Sequence, residues 1–131
     1  MNKTFFATGA ILGGLSVVLG AFAAHALKSI LPLDAVAIFE TGVRYQFYHA
    51  LALLILAVSF EKLDAKWGNR TGLFFILGIA LFSGSLYTLS FLKMGEPSAI
   101  IKLVGIITPF GGLAFIIGWL FLVLAVLKKL N

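Results

Sequence analysis

The side chains best suited to chemistry lie in one stretch, residues 39–54, directly ahead of an apolar run. The titratable or hydrogen-bonding residues within it are Glu40, Arg44, Tyr45, Gln46 and His49. Carboxylate, guanidinium, phenol, amide and imidazole groups can pair ions, bind a polar ligand or carry a proton. Which of these they do depends on whether the surrounding helix lies in water or in lipid.

The composition indicates that lipid is the solvent for most of the chain. Of the 131 residues, 61% are apolar and only 11% are charged, whereas a soluble domain carries about a quarter charged residues. We therefore predict a single transmembrane domain over residues 1–131, with the lipid bilayer as its first partner. The net charge of +5 is spread between apolar blocks, which argues against a nucleic-acid partner.

Four segments are apolar enough to enter the roughly 30 Å of hydrocarbon in a bilayer. The predicted spans are residues 5–27, 38–60, 73–92 and 103–127, so the expected fold is all-α, a bundle of four transmembrane helices. Residues 21–26 imitate a signal cleavage site. The apolar run before them is longer than a signal peptide needs, and we favour an uncleaved helix.

The second span admits two arrangements, because its uncharged part covers only residues 45–60. Either one helix, with Asp34 as its N-cap, carries Glu40 and Arg44 into the membrane edge, or residues 35–42 lie along the surface. We favour the single helix. The i, i+4 spacing of Glu40 and Arg44 predicts an interfacial ion pair, which we interpret as a screened surface pair rather than a gating element.

Charge also predicts the connections and the orientation. The most charged stretch, residues 61–71, is expected to be a solvated loop. More positive charges lie on the side of this loop and both termini than on the opposite side. The positive-inside rule therefore predicts cytoplasmic N- and C-termini.

Small residues predict where helices approach closely. Gly9, Gly13 and Gly20 fall in one stripe of the first span, a pattern that brings helix backbones together in lipid. In the fourth span Pro109 is expected to kink the helix, and Gly112 lies on a packing face. We interpret these residues as structural.

Under this topology, polar side chains within the spans gather in the outer half of the membrane. Because polar groups in hydrocarbon seek protein partners, we expect one shared cluster that opens to the outer side. Its predicted members are His25, Tyr45, Gln46, His49, Ser83, Tyr87 and Thr108. The cluster is either an interhelical hydrogen-bond lock, which we favour, or a ligand site.

Other chemistry has little support in the residues. Two histidines without cysteine are too few for an ordinary zinc site, and the spacing of His25 and His49 does not demand a haem. We therefore expect no metal and no cofactor. An activated nucleophile is not visible either, so enzymatic activity is unsupported.

Four ordered segments, one in each span, resemble a known family: residues 19–25, 40–49, 82–87 and 108–119. They are similar to the YgdD/YwdK-like bacterial membrane proteins, called domain of unknown function 423, and to animal proteins of the transmembrane protein 256 type. The resemblance implies four helices and a multi-pass position in the bacterial plasma membrane. It implies no activity.

Two functions therefore remain open. The first is a non-enzymatic role in membrane assembly or integrity, through self-association or the binding of other membrane proteins. The second is the binding or transport of a small ligand or lipid at the outer-half cluster, with proton coupling through His49 as a further hypothesis.

Overall fold

The computed structural model describes residues 1–129, which form four long helices. They are α1 (Lys3–Ile30), α2 (Leu33–Lys62), α3 (Ala65–Leu92) and α4 (Ala99–Lys129), and each is long and apolar enough to cross a membrane. The short connections make consecutive helices antiparallel. The expected all-α fold with four membrane-spanning helices is confirmed, whereas the cytoplasmic placement of the termini stays a prediction.

The start of α2 differs from the expectation that Asp34 caps it. Leu31 is extended, as is usual before a proline, and Pro32 occupies the cap position. Asp34 lies in the first helical turn, where it forms an ion pair with Lys93 that joins the two connections at this end. The helix then continues without a break to Ser59.

The predicted loop over residues 61–71 is wrong, because α3 already begins at Ala65. The Asp64 carboxylate accepts a hydrogen bond from the Trp67 backbone N–H and so caps this helix. Gly68 is buried against the ring of Phe60. Residues 65–71 of the charged stretch therefore form the amphipathic first part of α3, with small residues turned inward and charges outward.

Helices α3 and α4 pack closely through two reciprocal contacts, in each of which a phenylalanine of one helix lies over a glycine of the other. The ring of Phe115 lies over Gly78, and the ring of Phe75 lies over Gly118. A third close approach brings Gly111 against the backbone of Phe82, in the π-helical turn Ile79–Ser83 of α3. Glycine is required at these points because any side chain there would push the helices apart.

The predicted glycine stripe of α1 faces α2, but its members pack to different degrees. A Cβ on Gly9 would lie 2.9 Å from the carbonyl oxygen of Ala50, whereas Gly13 and Gly20 leave ordinary van der Waals distances. In α4 the helix is continuous through Pro109. The bundle thus consists of an α1–α2 pair and an α3–α4 pair, joined through α2 and α3.

Candidate functional site

Gln46 in the middle of α2 is the residue that links three helices. Its Nε2 donates to the carbonyl oxygen of Leu12 in α1 at 3.0 Å, and its Oε1 accepts from the hydroxyl of Tyr87 in α3 at 2.7 Å. Gln46 is only 2% exposed, and Ser16 donates to the same Leu12 carbonyl. An amide has both donors and acceptors, so it can join a carbonyl on one side to a hydroxyl on the other.

Serines of α3 add two more hydrogen bonds to α2. The hydroxyl of Ser83 donates to the carbonyl oxygen of Gly42 at 2.7 Å, and that of Ser90 reaches Ala35 O at 2.9 Å. Both serines are fully buried. Because Gly42 has no side chain, the ring of Tyr87 also lies directly against it. The polar side chains of α3 therefore hold this helix to α2.

His49 connects α2 to α4, and its two ring nitrogens have different partners. Nδ1 lies 2.8 Å from the carbonyl oxygen of Tyr45, and Nε2 lies 3.0 Å from the indole Nε1 of Trp119. A carbonyl only accepts and an indole N–H only donates, so Nδ1 carries the proton and the imidazole is neutral. The ring also stacks on Phe115 with centroids 3.6 Å apart. A proton-carrying role would therefore require the loss of the Trp119 hydrogen bond.

A groove of about 350 Å³ lies beside His49 on the side of the bundle. Its wall residues are Tyr45, His49, Phe82, Gly112, Phe115, Ile116 and Trp119. Tyr45 is 40% exposed and its ring packs on Phe82, with centroids 4.7 Å apart. Because the wall is largely aromatic and partly exposed, the groove suits an apolar chain or ring better than a polar solute.

Two of the predicted cluster members lie apart from Gln46 and His49. Thr108 of α4 shares a hydrogen bond with Ser85 of α3, with hydroxyl oxygens 2.7 Å apart. His25 is exposed, in the π-helical turn Ala23–Leu27 of α1. The structure therefore does not bring His25 together with Gln46 or His49, because its exposed side chain lies on the outside of α1.

The expected ion pair between Glu40 and Arg44 is also absent from residues 1–129. Arg44 Nη2 instead donates to the hydroxyl of Thr41 at 3.2 Å. The ion pairs in this part of the chain join Lys93 to Asp34 and the N-terminal ammonium to Glu61. Arg44 is exposed at one wall of a shallow groove between α1 and α2.

The predicted single cluster is thus a set of separate interhelical hydrogen bonds. Within residues 1–129 every buried side-chain nitrogen or oxygen has a hydrogen-bond partner. The same residues hold no group of three potential metal ligands. The lock interpretation accounts for Gln46, Ser83 and Tyr87, whereas Tyr45 and His49 line the lateral groove.

Sequence reasoning missed the part played by Trp119 and Gly111. Trp119 is not among the predicted polar residues, although an indole N–H in an apolar helix needs an acceptor and so signals a polar partner. Gly111 makes the close contact with Phe82, while the predicted Gly112 leaves 3.8 Å to the nearest atom. Adjacent glycines cannot be distinguished before the partner helix is placed.

Comparison with known proteins adds a family to this geometry. The model of a family described as protein of unknown function DUF423 matches residues 19–112. The membrane protein YwdK of Bacillus subtilis is 43% identical over 129 residues, covering 98% of this chain and 99% of the relative. The inner membrane protein YgdD of Escherichia coli is 35% identical over 119 residues, covering 91% and 86%. No solved structure matches the chain significantly.

These relatives extend over nearly the whole chain and are named as membrane or inner membrane proteins. Their names agree with the four membrane-spanning helices found here. The protein is therefore a multi-pass protein of the cell membrane, and it belongs to the DUF423 family.

Proposed function

We propose that this protein is a non-catalytic membrane component that binds other proteins within the bilayer and thereby supports membrane assembly or integrity. The observation that carries the proposal is the Gln46 linkage between α1, α2 and α3. Gln46, Ser83 and Tyr87, which could otherwise bind a polar ligand, are instead engaged in holding the helices together. A bundle with such an interior acts through its outer surface.

The outer surface available to a partner lies mainly on α1 and α4. Each of these helices packs mainly along one neighbour, whereas α2 and α3 each pack against two. On α1, Val17 is 64% exposed, and Gly14 has no atom within 4 Å of an added Cβ. On α4, Leu120 is 58% exposed and Gly105 is equally open. Helices in lipid associate through such close-packing apolar faces, and the partner is a second copy or another membrane protein.

The test uses native mass spectrometry of the protein extracted in mild detergent from the membrane in which it was made. Gly14→Ile and Gly105→Ile alter the outer faces of α1 and α4 without a clash inside the bundle. Gly84→Ile is the matched control, because Gly84 of α3 is also open. We expect discrete complexes in the wild type and the control, and a lower abundance of these complexes in Gly14→Ile and Gly105→Ile. A monomer in every case would refute partner binding.

The lateral groove supports a second function, the binding of an apolar ligand or lipid. Tyr45, Phe82 and Trp119 give it an aromatic wall open to the membrane. Ile116→Trp would fill the groove without touching a hydrogen bond, and Ile106→Trp places the same bulk on another exposed position of α4. A co-purifying mass that is lost only in Ile116→Trp would support this function. Bare chain masses in all three proteins would exclude it.

A further inference from the structure

We propose that Lys66, Trp67 and Arg70, at the start of α3, form a binding site for the phosphate of anionic phospholipid headgroups. The site is independent of the proposed partner binding. It arises because the charged stretch is helical, which places the two cations one turn apart on the exposed side of α3.

Trp67 organises the two cations. The Arg70 guanidinium lies 4.7 Å from the centroid of its indole ring, and the Lys66 ammonium lies 5.9 Å from it. The indole in turn packs on Phe121 of α4, with ring centroids 5.3 Å apart. Cation–π contacts hold both side chains near one ring and reduce the entropy lost when an anion binds.

Further positive charge lies at the same end of the bundle. The backbone N–H of Asp64 donates to the carbonyl oxygen of Ala125 at 2.8 Å, so the first turn of α3 meets the last turn of α4. That last turn carries Lys128 and Lys129, both exposed. Neither Lys66 nor Arg70 belongs to an ion pair within residues 1–129. The charge at this end therefore favours an anionic ligand.

The position of Trp67 favours a headgroup over a soluble anion. Tryptophan is enriched where the headgroups meet the hydrocarbon, and Trp67 lies in the charged first part of α3, ahead of the predicted span 73–92. Its indole N–H has no acceptor within residues 1–129, so it can donate to a lipid phosphate or ester oxygen. Basic residues beside a span are also a recognised site for anionic lipids.

The experiment measures lipid retention by native mass spectrometry. Full-length protein is released from nanodiscs of phosphatidylglycerol and phosphatidylcholine in equal amounts, and bound lipids are identified by mass. The test variant is Lys66→Gln/Arg70→Gln. The matched control, Lys28→Gln/Lys102→Gln, removes the same charge from exposed residues at the other end. Circular dichroism verifies that all three proteins are folded.

We expect wild type and control to retain phosphatidylglycerol in preference to phosphatidylcholine. In the test variant retention should fall by about fivefold for each removed charge. Equal retention in the test variant and wild type, or equal retention of the two lipids by wild type, would overturn the proposal. Inorganic phosphate provides a second arm. If it raises the melting temperature of wild type and phosphatidylglycerol does not, the site serves a soluble anion and the lipid proposal fails.

Discussion

Replacement of Gly111 by alanine is the most direct test of the contact between α3 and α4. A Cβ at this position would lie 2.2 Å from the backbone nitrogen of Phe82. An ordinary van der Waals contact needs at least 3.4 Å, which is 1.2 Å more than the structure provides. Because the obstacle is backbone, no side-chain rotation can relieve it, and α4 must move away from α3.

The cost can be worked from the contacts that this movement opens. Overpacking a tight interface costs about 1–3 kcal/mol. Separation of α3 and α4 would also loosen the Phe115 ring over Gly78 and the hydrogen bond between Ser85 and Thr108. The better helix propensity of alanine returns at most about 1 kcal/mol. We therefore expect Gly111→Ala to lower the free energy of unfolding by about 1–2 kcal/mol.

The neighbouring glycine is a matched control. At Gly112 the nearest atom to an added Cβ is 3.8 Å away, so Gly112→Ala should be neutral or stabilising by up to about 1 kcal/mol. Both variants can be titrated from dodecyl maltoside into sodium dodecyl sulfate, with tryptophan fluorescence and circular dichroism as readouts. If Gly111→Ala unfolds at the same detergent fraction as Gly112→Ala, the close approach of the helices is refuted.

Three further predictions concern hydrogen bonds and use the same titration. Gln46→Leu removes its bonds to Leu12 and Tyr87, which at ~0.6 kcal/mol each in lipid should cost about 1 kcal/mol. Ser29→Ala, which loses only a bond within its own helix, should change little. Trp119→Phe keeps an aromatic ring but removes the hydrogen-bond donor to His49. It should lower the free energy of unfolding by ~0.6 kcal/mol and change the ¹⁵N chemical shift of the His49 Nε2. An unchanged shift would contradict that bond. Asp64→Ala removes the α3 cap and should cost about 1 kcal/mol, whereas Asp34→Ala, which removes no cap, should cost less.

The interior polar residues show why a lock and a binding site are hard to distinguish from sequence. Both need polar side chains at similar depth in neighbouring spans. The difference is in direction and distance. Gln46 and Tyr87 meet each other across a helix interface, while His49 and Tyr45 border an open groove. One set of predicted residues therefore serves two separate parts of the molecule.

Composition and the length of the uncharged apolar segments were sufficient to predict four membrane helices. The preference of a segment for the membrane is a local property, because a long apolar segment without charges is solvated more favourably by lipid than by water. The sequence also singled out Gln46 and His49 among the polar residues of the spans, and both are buried. The family resemblance rests on the same segments and agrees with the match over residues 19–112.

Predictions made from charge alone were wrong where tertiary contacts determine the local structure. Residues 65–71 were assigned to a loop because of Lys66 and Arg70, yet the Asp64 cap and the burial of Gly68 make them helical. Similar reasoning gave Arg44 a carboxylate partner that it does not contact within residues 1–129. A surface charge weakly constrains local structure because solvation is almost as favourable as pairing.

The pairing of specific side chains was decided only by the tertiary structure. Trp119 lies seventy positions from His49, and Gly111 differs from Gly112 only in the direction it faces. Such contacts depend on the rotation and separation of whole helices. A π-helical turn such as Ile79–Ser83 changes that rotation locally, and periodicity at 100° per residue does not anticipate it. Sequence therefore determined which segments enter the membrane, while helix packing determined which residues meet inside it.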